Sequence, residues 1–261
     1  MSGLPNLGNT CYINTILQCL RYQRHFVKLL KNYNTENDSK LHKFFVEMMF
    51  DGATDKHLRD FVFQLSVENK EFKLFKQCDA HELFLYLIDN FYDHHDMTNP
   101  FKGTIQSKLY CTCGYQSITK QHFISLSVSV KGSVAEMSDD YKKTEEVDVL
   151  CKCSKKLKKK MTIIQKPSNF VLHLNRFSNN NKKIKTQVKL DQPHNYKLTA
   201  ICNHTGETKG GHYTSAVLKG HGGWQMCNDI HTLEIERLPE KSHLPYILFF
   251  ERYKRRISDI K

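Results

Sequence analysis

Gly3-Leu4-Pro5-Asn6-Leu7-Gly8-Asn9-Thr10-Cys11-Tyr12-Ile13-Asn14-Thr15-Ile16-Leu17-Gln18-Cys19-Leu20 changes character halfway along. Up to Thr10 it carries two glycines, a proline and two asparagines, the residues of a turn. From Ile13 the apolar residues fall at Ile13, Ile16, Leu17 and Leu20, the i, i+3, i+4, i+7 stripe of an amphipathic helix. Cys11 therefore belongs to the first turn of that helix. The first N–H groups of a helix lack internal partners and carry partial positive charge. Such a setting is expected to favour thiolate over thiol and to lower the pKa of Cys11. Most free cysteines are buried apolar residues, so the chemistry needs a partner elsewhere in the chain.

A cysteine nucleophile needs a base, and the base needs a group that holds its ring. Roughly 200 residues downstream lies Gly210-Gly211-His212-Tyr213-Thr214-Ser215. Tyr213 to Leu218 and Trp224 to Cys227 have strand composition, and Gly220-His221-Gly222-Gly223 between them is a turn. A hairpin would bring His212 near Asn228 and Asp229, and an amide or carboxylate there can fix the imidazole tautomer.

The chain has 261 residues, a formal net charge of +12 and nine cysteines. No apolar run reaches the ~18 residues of a membrane span, and no signal-peptide pattern is visible. An odd cysteine count argues against a disulfide framework. A reducing compartment, cytoplasm or nucleus, is the expected home. The positive charge concentrates at Lys155 to Lys160, at Lys182, Lys183 and Lys185, and at Lys254-Arg255-Arg256. Such runs usually form solvated faces.

Four cysteines come as two pairs, Cys111-Thr112-Cys113-Gly114 and Cys151-Lys152-Cys153-Ser154. Two pairs some forty residues apart can form a tetrahedral four-cysteine zinc site. One intervening residue holds two thiolates on one metal less comfortably than two do. Reduced thiol pairs packed without metal are the alternative. Neither pair has an open set of histidine and carboxylate, so no catalytic metal is implied.

Residues 1 to about 100 are helical in pattern, at Ile13 to Leu20, Leu41 to Phe50, Leu58 to Leu65 and Ala80 to Phe91. Asp79 is placed to cap the last of these, with Glu82 three residues on. Asn32 to Lys40 is a polar loop. Ile124, Leu126, Val128 and Val130 alternate as in a strand, and Ser133 to Lys143 is a candidate short helix. From Ile163 to Tyr253 strands dominate, with breaks at Ser178 to Lys183 and Cys202 to Gly211.

Six segments taken in order resemble the catalytic domain of the ubiquitin-specific protease family. They are Gly3 to Leu20; Gln77-Cys78-Asp79-Ala80-His81-Glu82-Leu83; Phe101-Lys102-Gly103; Phe170 to Phe177; Tyr196 to Asp229; and Pro245 to Arg252. The resemblance implies an α+β, papain-like cysteine protease fold occupying 1–261 as a single domain. In it a helical thumb (about 1–100), zinc-bearing β fingers (about 101–165) and an antiparallel β palm (about 166–253) precede a basic tail (254–261). It implies Cys11 as nucleophile, His212 as base, Asn228 as third member, Asp229 as supporting acid and Asn6 as an oxyanion donor. Asp79 would contact an arginine of the ubiquitin tail, and Gly210, Gly211 and Tyr213 would line the tail channel. The segment Asn203 to Gly211 resembles a blocking loop. Cys111, Cys113, Cys151 and Cys153 fall where the family holds structural zinc. The implied activity is hydrolysis at the carboxy-terminal glycine of ubiquitin, with ubiquitin and ubiquitinated proteins as partners. A monomer is expected, and neither membrane nor nucleic acid is an expected partner. Two alternatives come from other classes. An inactive ubiquitin-binding relative would be expected to lack Cys11, His212 or Asn228. A zinc-containing nucleic-acid-binding protein leaves the ordered Cys and His segments unexplained.

Overall fold

A computed structural model describes residues 2–50, 52–95, 97–140, 142–177, 182–207 and 210–253. The basic tail after Tyr253 and most of the break from Ser178 lie outside the described residues. The helices are α1 (Cys11–Arg21), α2 (Arg24–Leu30), α3 (Lys40–Met48), α4 (Asp55–Glu68), α5 (Ala80–Asp93) and α6 (Val134–Asp140). The strands are β1 (Gly103–Tyr110), β2 (Gln116–Phe123), β3 (Leu126–Ser129), β4 (Thr144–Leu150), β5 (Lys156–Gln165), β6 (Asn169–Asn175) and β7 (Val188–Lys189). They continue with β8 (Tyr196–Glu207), β9 (Gly210–Leu218), β10 (Trp224–Asn228), β11 (His231–Ile235), β12 (Lys241–Ser242) and β13 (Pro245–Arg252). No helix among the described residues is long and apolar enough to cross a membrane.

Seven strands form one sheet in the order β11-β10-β9-β8-β13-β6-β3. Its centre is buried on both faces, which is why Tyr246-Ile247-Leu248-Phe249-Phe250 reads as an unbroken apolar run. Successive side chains point to opposite faces. Ile247, Phe249, Val171, Ala200 and Cys202 pack against the helices. Leu248, Phe250, Leu172, Leu174 and Leu198 meet Val134 and Met137 of α6 on the far side. Thus β3 and α6, inside the 101–165 stretch, sit on this large sheet, and β3 joins it by parallel pairing with β6.

The helical half differs from its sequence pattern in two places. Every residue of α1 is buried, polar ones included. Its polar side is occupied by hydrogen bonds: Asn14 donates to the carbonyls of Leu4 and Pro5, Gln18 to Ser2 O at 2.9 Å, and Arg21 to Met48 O. Helix α2 was not legible, because it buries only Phe26 and Leu30, too few positions to display a period.

A second sheet, β2-β1-β5-β4, projects from this body. Its own apolar cluster is Cys111, Cys151 and Leu157, with Leu109 and Val147 against it. The lysine run lies on β5 beside the acidic strand β4, with Lys159 3.3 Å from Glu145 and Lys156 3.4 Å from Asp148. These exposed pairs contribute little individually. They do offset the repulsion that the run would create alone.

Candidate active site

The three other long helices begin under side-chain caps, Ser39 for α3, Thr54 for α4 and Asp79 for α5. Helix α1 has none: the hydroxyl of its N-cap Thr10 instead accepts the N–H of Leu7 at 2.9 Å. Its first N–H groups therefore remain for another acceptor. The backbone N–H groups of Tyr213 on β9, of Tyr12 and of Cys11 itself act to lower the pKa of the Cys11 thiol.

The expected fall in the Cys11 pKa does not follow. Cys11 is 3% exposed, and burial raises its thiol above the ordinary value. The Tyr213, Tyr12 and Cys11 N–H groups lower it, while Asp229 adds to the rise. Desolvation wins over three backbone donors, so the helix start alone does not yield a thiolate. A positive partner is needed, and His212 stands next to Tyr213 in the chain. Alkylation of Cys11 by iodoacetamide is therefore expected to titrate at lower pH in the parent than in His212→Ala. In that variant labelling should still be rising above about pH 8.5, the ordinary thiol value. Identical pH profiles would remove His212 from the thiol's environment.

His212 lies on β9 and Asn228 ends the neighbouring strand β10, as the hairpin reading expects. His212 Nε2 is 2.7 Å from Asn228 Oδ1. An amide oxygen only accepts, so Nε2 carries the proton and Nδ1 keeps its lone pair. The tautomer is thus set by one contact. Asp229 holds φ at 50°, the left-handed region, where asparagine and aspartate are tolerated better than most residues. That bend directs its side chain away from the imidazole and towards the Cys11 loop. Its carboxylate accepts from Asn6 Nδ2 at 2.9 Å and from Asn14 Nδ2 at 2.8 Å. Its carbonyl accepts the Leu4 N–H at 2.9 Å.

Asn6 was expected to point its amide at a developing oxyanion. One amide hydrogen is instead committed to Asp229, and Oδ1 accepts the N–H groups of Gly8 (3.0 Å) and Thr10 (3.1 Å). Only its second amide hydrogen is left for a ligand. Sequence reasoning missed Asn14, which lies on α1 off its apolar stripe. It also missed Gln77, whose amide clamps Gly211 from both sides by accepting its N–H at 3.2 Å and donating to its carbonyl.

The segment Asn203 to Gly211, expected as a loop, is largely hairpin. β8 runs to Glu207, β9 resumes at Gly210, and they pair from Ala200 with Val217 to Glu207 with Gly210. Gly211 is required by its own protein, since a Cβ there would sit 2.2 Å from His204 Nε2 and 2.4 Å from Thr205 O. At Gly210 a Cβ would meet nothing within 4 Å. Tyr213 is buried, its ring 4.7 Å from that of His204. Asp79 caps α5 by accepting the N–H groups of His81 (2.6 Å) and Glu82 (3.1 Å), and it also accepts the Tyr246 hydroxyl. Gln77, Asp79, His204, Gly210, Gly211 and Tyr213 line one cavity of about 170 Å³. Cys11, His212, Asn228, Asp229, Asn6 and these residues are therefore gathered along one seam between α1, α5 and the sheet.

Cys111, Cys113, Cys151 and Cys153 are brought together elsewhere, at the tips of two hairpins. Each tip turns through a left-handed residue, Gly114 (φ 96°) or Ser154 (φ 63°). The sulfurs of Cys111 and Cys153 are 3.5 Å apart, as are those of Cys113 and Cys151, and all four lie within 4.8 Å of one another. Tetrahedral zinc with ~2.3 Å bonds requires sulfur separations of about 3.8 Å. The Cys111 thiol is lowered to about 6, first by a backbone N–H of Cys113 and then by the neighbouring thiols. The short spacing thus does not prevent convergence, because each pair meets the other across the two turns. These four residues can hold a metal ion of zinc type.

A family model described as "Ubiquitin carboxyl-terminal hydrolase" matches residues 2–250. "Ubiquitin carboxyl-terminal hydrolase 25" of Arabidopsis thaliana is 29% identical over 330 aligned residues, covering 99% of this chain and 48% of that protein. "Ubiquitin carboxyl-terminal hydrolase 2" of Homo sapiens is 25% identical, covering 96% of this chain and 55% of that protein. The chain thus spans about half the length of these curated relatives. Among solved structures, a SAGA Ubp8/Sgf11/Sus1/Sgf73 module bound to monoubiquitin has a TM-score of 0.84 at 21% identity, covering 97% of this chain and 69% of that one. The same module bound to ubiquitin aldehyde gives 0.83 at 22% identity, covering 97% of this chain and 70% of that one. The fold is shared with these structures, thumb, fingers and palm included. A cysteine at an uncapped helix start, a histidine oriented by an amide, and a family match from residue 2 to residue 250 agree: the chain belongs to the ubiquitin carboxyl-terminal hydrolase family.

Proposed function

We propose that this chain is the catalytic unit of a thiol-dependent deubiquitinase, hydrolysing isopeptide or peptide bonds at the carboxy-terminal glycine of ubiquitin. The observation that carries this reading is the 2.7 Å contact from His212 Nε2 to Asn228 Oδ1, which leaves Nδ1 as the proton acceptor. Family membership supports the reaction class. The monoubiquitin and ubiquitin aldehyde bound to the structurally similar modules support the substrate.

In this mechanism His212 takes the Cys11 proton, and the thiolate attacks the glycine carbonyl. Negative charge gathers on the carbonyl oxygen near the N–H groups at the start of α1 and the free amide hydrogen of Asn6. One such donor is worth about 3–4 kcal/mol in comparable enzymes. The imidazolium then protonates the departing lysine amine, and a water activated by His212 cleaves the thioester. The ubiquitin tail would lie along the cavity bounded by Asp79 and Gly211. There the Asp79 carboxylate is already oriented by two backbone donors and Tyr246, so an arginine meets a fixed acceptor. Incubation with ubiquitin bearing an electrophilic carboxy terminus, followed by intact mass, should give a single adduct. No adduct at saturating probe would overturn the reading.

Zinc held by Cys111, Cys113, Cys151 and Cys153 would be structural, with four thiolates and no open position. Its work is set by the small apolar cluster of the projecting sheet. Cys113→Ser is expected to release metal and weaken binding of folded ubiquitin, while hydrolysis of a short tail peptide changes little. Elemental analysis and both assays decide this. Unchanged ubiquitin affinity in the metal-free variant would detach the site from substrate binding.

A further inference from the structure

A second cluster lies in the helical half. The loop before α3 carries Tyr33 and Asp38, α3 carries His42, and the end of α5 brings Asn90 and then His95. The Asp38 and His95 side chains are 6% and 11% exposed, and His42 is 4% exposed. Both imidazoles rest on Phe91, with ring centroids 5.4 and 4.7 Å from it.

The protons in this cluster can be counted. His42 Nε2 is 2.6 Å from Asn90 Oδ1, an acceptor only, so Nε2 carries hydrogen and Nδ1 a lone pair. His95 Nε2 is 3.0 Å from that Nδ1 and so donates to it, leaving a lone pair on His95 Nδ1. The Tyr33 hydroxyl is 2.6 Å from His95 Nδ1 and 2.8 Å from Asp38 Oδ1, yet it has one hydrogen for the two. Asp38 Oδ2 is buried with no partner. Two buried lone pairs therefore go without a proton, which is costly in a low-dielectric site.

Either one more proton or a cation can supply the missing charge. Burial works against the proton, because a charged imidazolium would sit in a low-dielectric site where His42 is 4% exposed and the His95 side chain 11%. Neutral imidazole is the form that binds metal. One nitrogen of each imidazole and one Asp38 oxygen already lie within 4.8 Å of one another. Asn90 fixes the His42 tautomer, the outer-shell contact typical of metal-ligating histidines. The adjoining cavity of about 370 Å³, with Glu68 on its wall, has room for water ligands and adds negative charge.

We propose that Asp38, His42 and His95 form a second cation site, independent of the cysteine tips, for a borderline divalent ion of the Zn2+ class. Two imidazoles and one carboxylate suit such an ion. It would tie the loop before α3 to the end of α5. This site does not depend on the deubiquitinase reading.

The probe is Co2+, titrated into the full chain after metal removal, because cobalt reports its ligands in its spectrum. Thiolate-to-cobalt charge transfer marks the cysteine tips. The second site should add visible d–d bands without further thiolate charge transfer. Asp38→Asn and His42→Ala should lose the thiolate-free bands and keep any thiolate signal. Asn90→Leu should weaken the thiolate-free equivalent about tenfold or more. Asp38→Asn is nearly isosteric, so it remains informative if His42→Ala does not fold, and far-UV circular dichroism checks each variant. Absence of thiolate-free bands in the parent overturns the site and favours a protonated His95. Their persistence in folded Asp38→Asn overturns it as well.

Discussion

Replacing Cys11 with alanine is expected to abolish turnover of ubiquitin conjugates and capture by a ubiquitin with an electrophilic carboxy terminus. Loss of a catalytic nucleophile typically costs at least about 10⁴-fold. No other cysteine is set for this role. Cys19 lies inside α1, Cys202 on β8 and Cys227 on β10, so none of these buried thiols stands at the start of a helix as Cys11 does. Cys78 is raised by burial, and its sulfur contacts the Glu71 carbonyl at 3.0 Å. At the hairpin tips the Cys111 thiol is lowered to about 6. A simple alkylating agent would thus also react at the hairpin tips in metal-free protein, where Cys113 and Cys153 are exposed. Only a probe directed by ubiquitin discriminates, and an adduct persisting in Cys11→Ala by intact mass would refute the assignment.

Asn228→Ala should lower kcat by about 10²- to 10⁴-fold while ubiquitin affinity stays nearly constant. Loss of the group that holds a catalytic histidine's tautomer costs up to about 10⁴ in a comparable triad. Asp229→Ala works by another route. It removes the acceptor shared by Asn6 and Asn14, so the Cys11 loop loses these side-chain ties to the sheet and keeps the Leu4 N–H bond to the Asp229 carbonyl. The expected cost is about 10²- to 10³-fold, that of an oxyanion donor. Single-turnover kinetics with a binding measurement separate the two. If Asp229→Ala is inactive and Asn228→Ala behaves as the parent, Asp229 orients the base.

Several features were readable because they rest on local chemistry. The stripe from Ile13 to Leu20 identified α1, and Asp79 before Ala80 identified the cap of α5. Trp224 to Cys227, after a glycine-rich turn, gave the hairpin that joins His212 to Asn228. Periodicity and turn residues act over a few positions, and the chain displays them directly. The resemblance of six ordered segments supplied the rest of the seam. Where local signals failed, a distant contact had replaced them. The stretch from Cys202 to Gly211 has polar residues and glycine, yet β13 and β9 pair with β8 and make it sheet. Asn14 lies off the apolar stripe of α1 and showed no local signal; only the folded chain sets it against Asp229 and the carbonyls of Leu4 and Pro5.

The turn before a helical stripe at Cys11, the hairpin that joins His212 to Asn228, the strand and helix periods, and the two cysteine pairs were legible in the sequence alone, because each is a property of a short segment. Tertiary structure decided the state of Cys11, since burial depends on everything packed around it and outweighs the helix start. It decided the work of Asp229, because a left-handed backbone turns its carboxylate from the imidazole to Asn6 and Asn14. It decided that two short-spaced cysteine pairs converge, since their sulfurs meet across two hairpins rather than within either. It also gathered Asp38, His42 and His95, which come from the loop before α3, from α3 and from the segment just after α5, and share no local pattern. Charge, desolvation and ligand geometry are fixed by neighbours in space, and those neighbours exist only once the chain has folded.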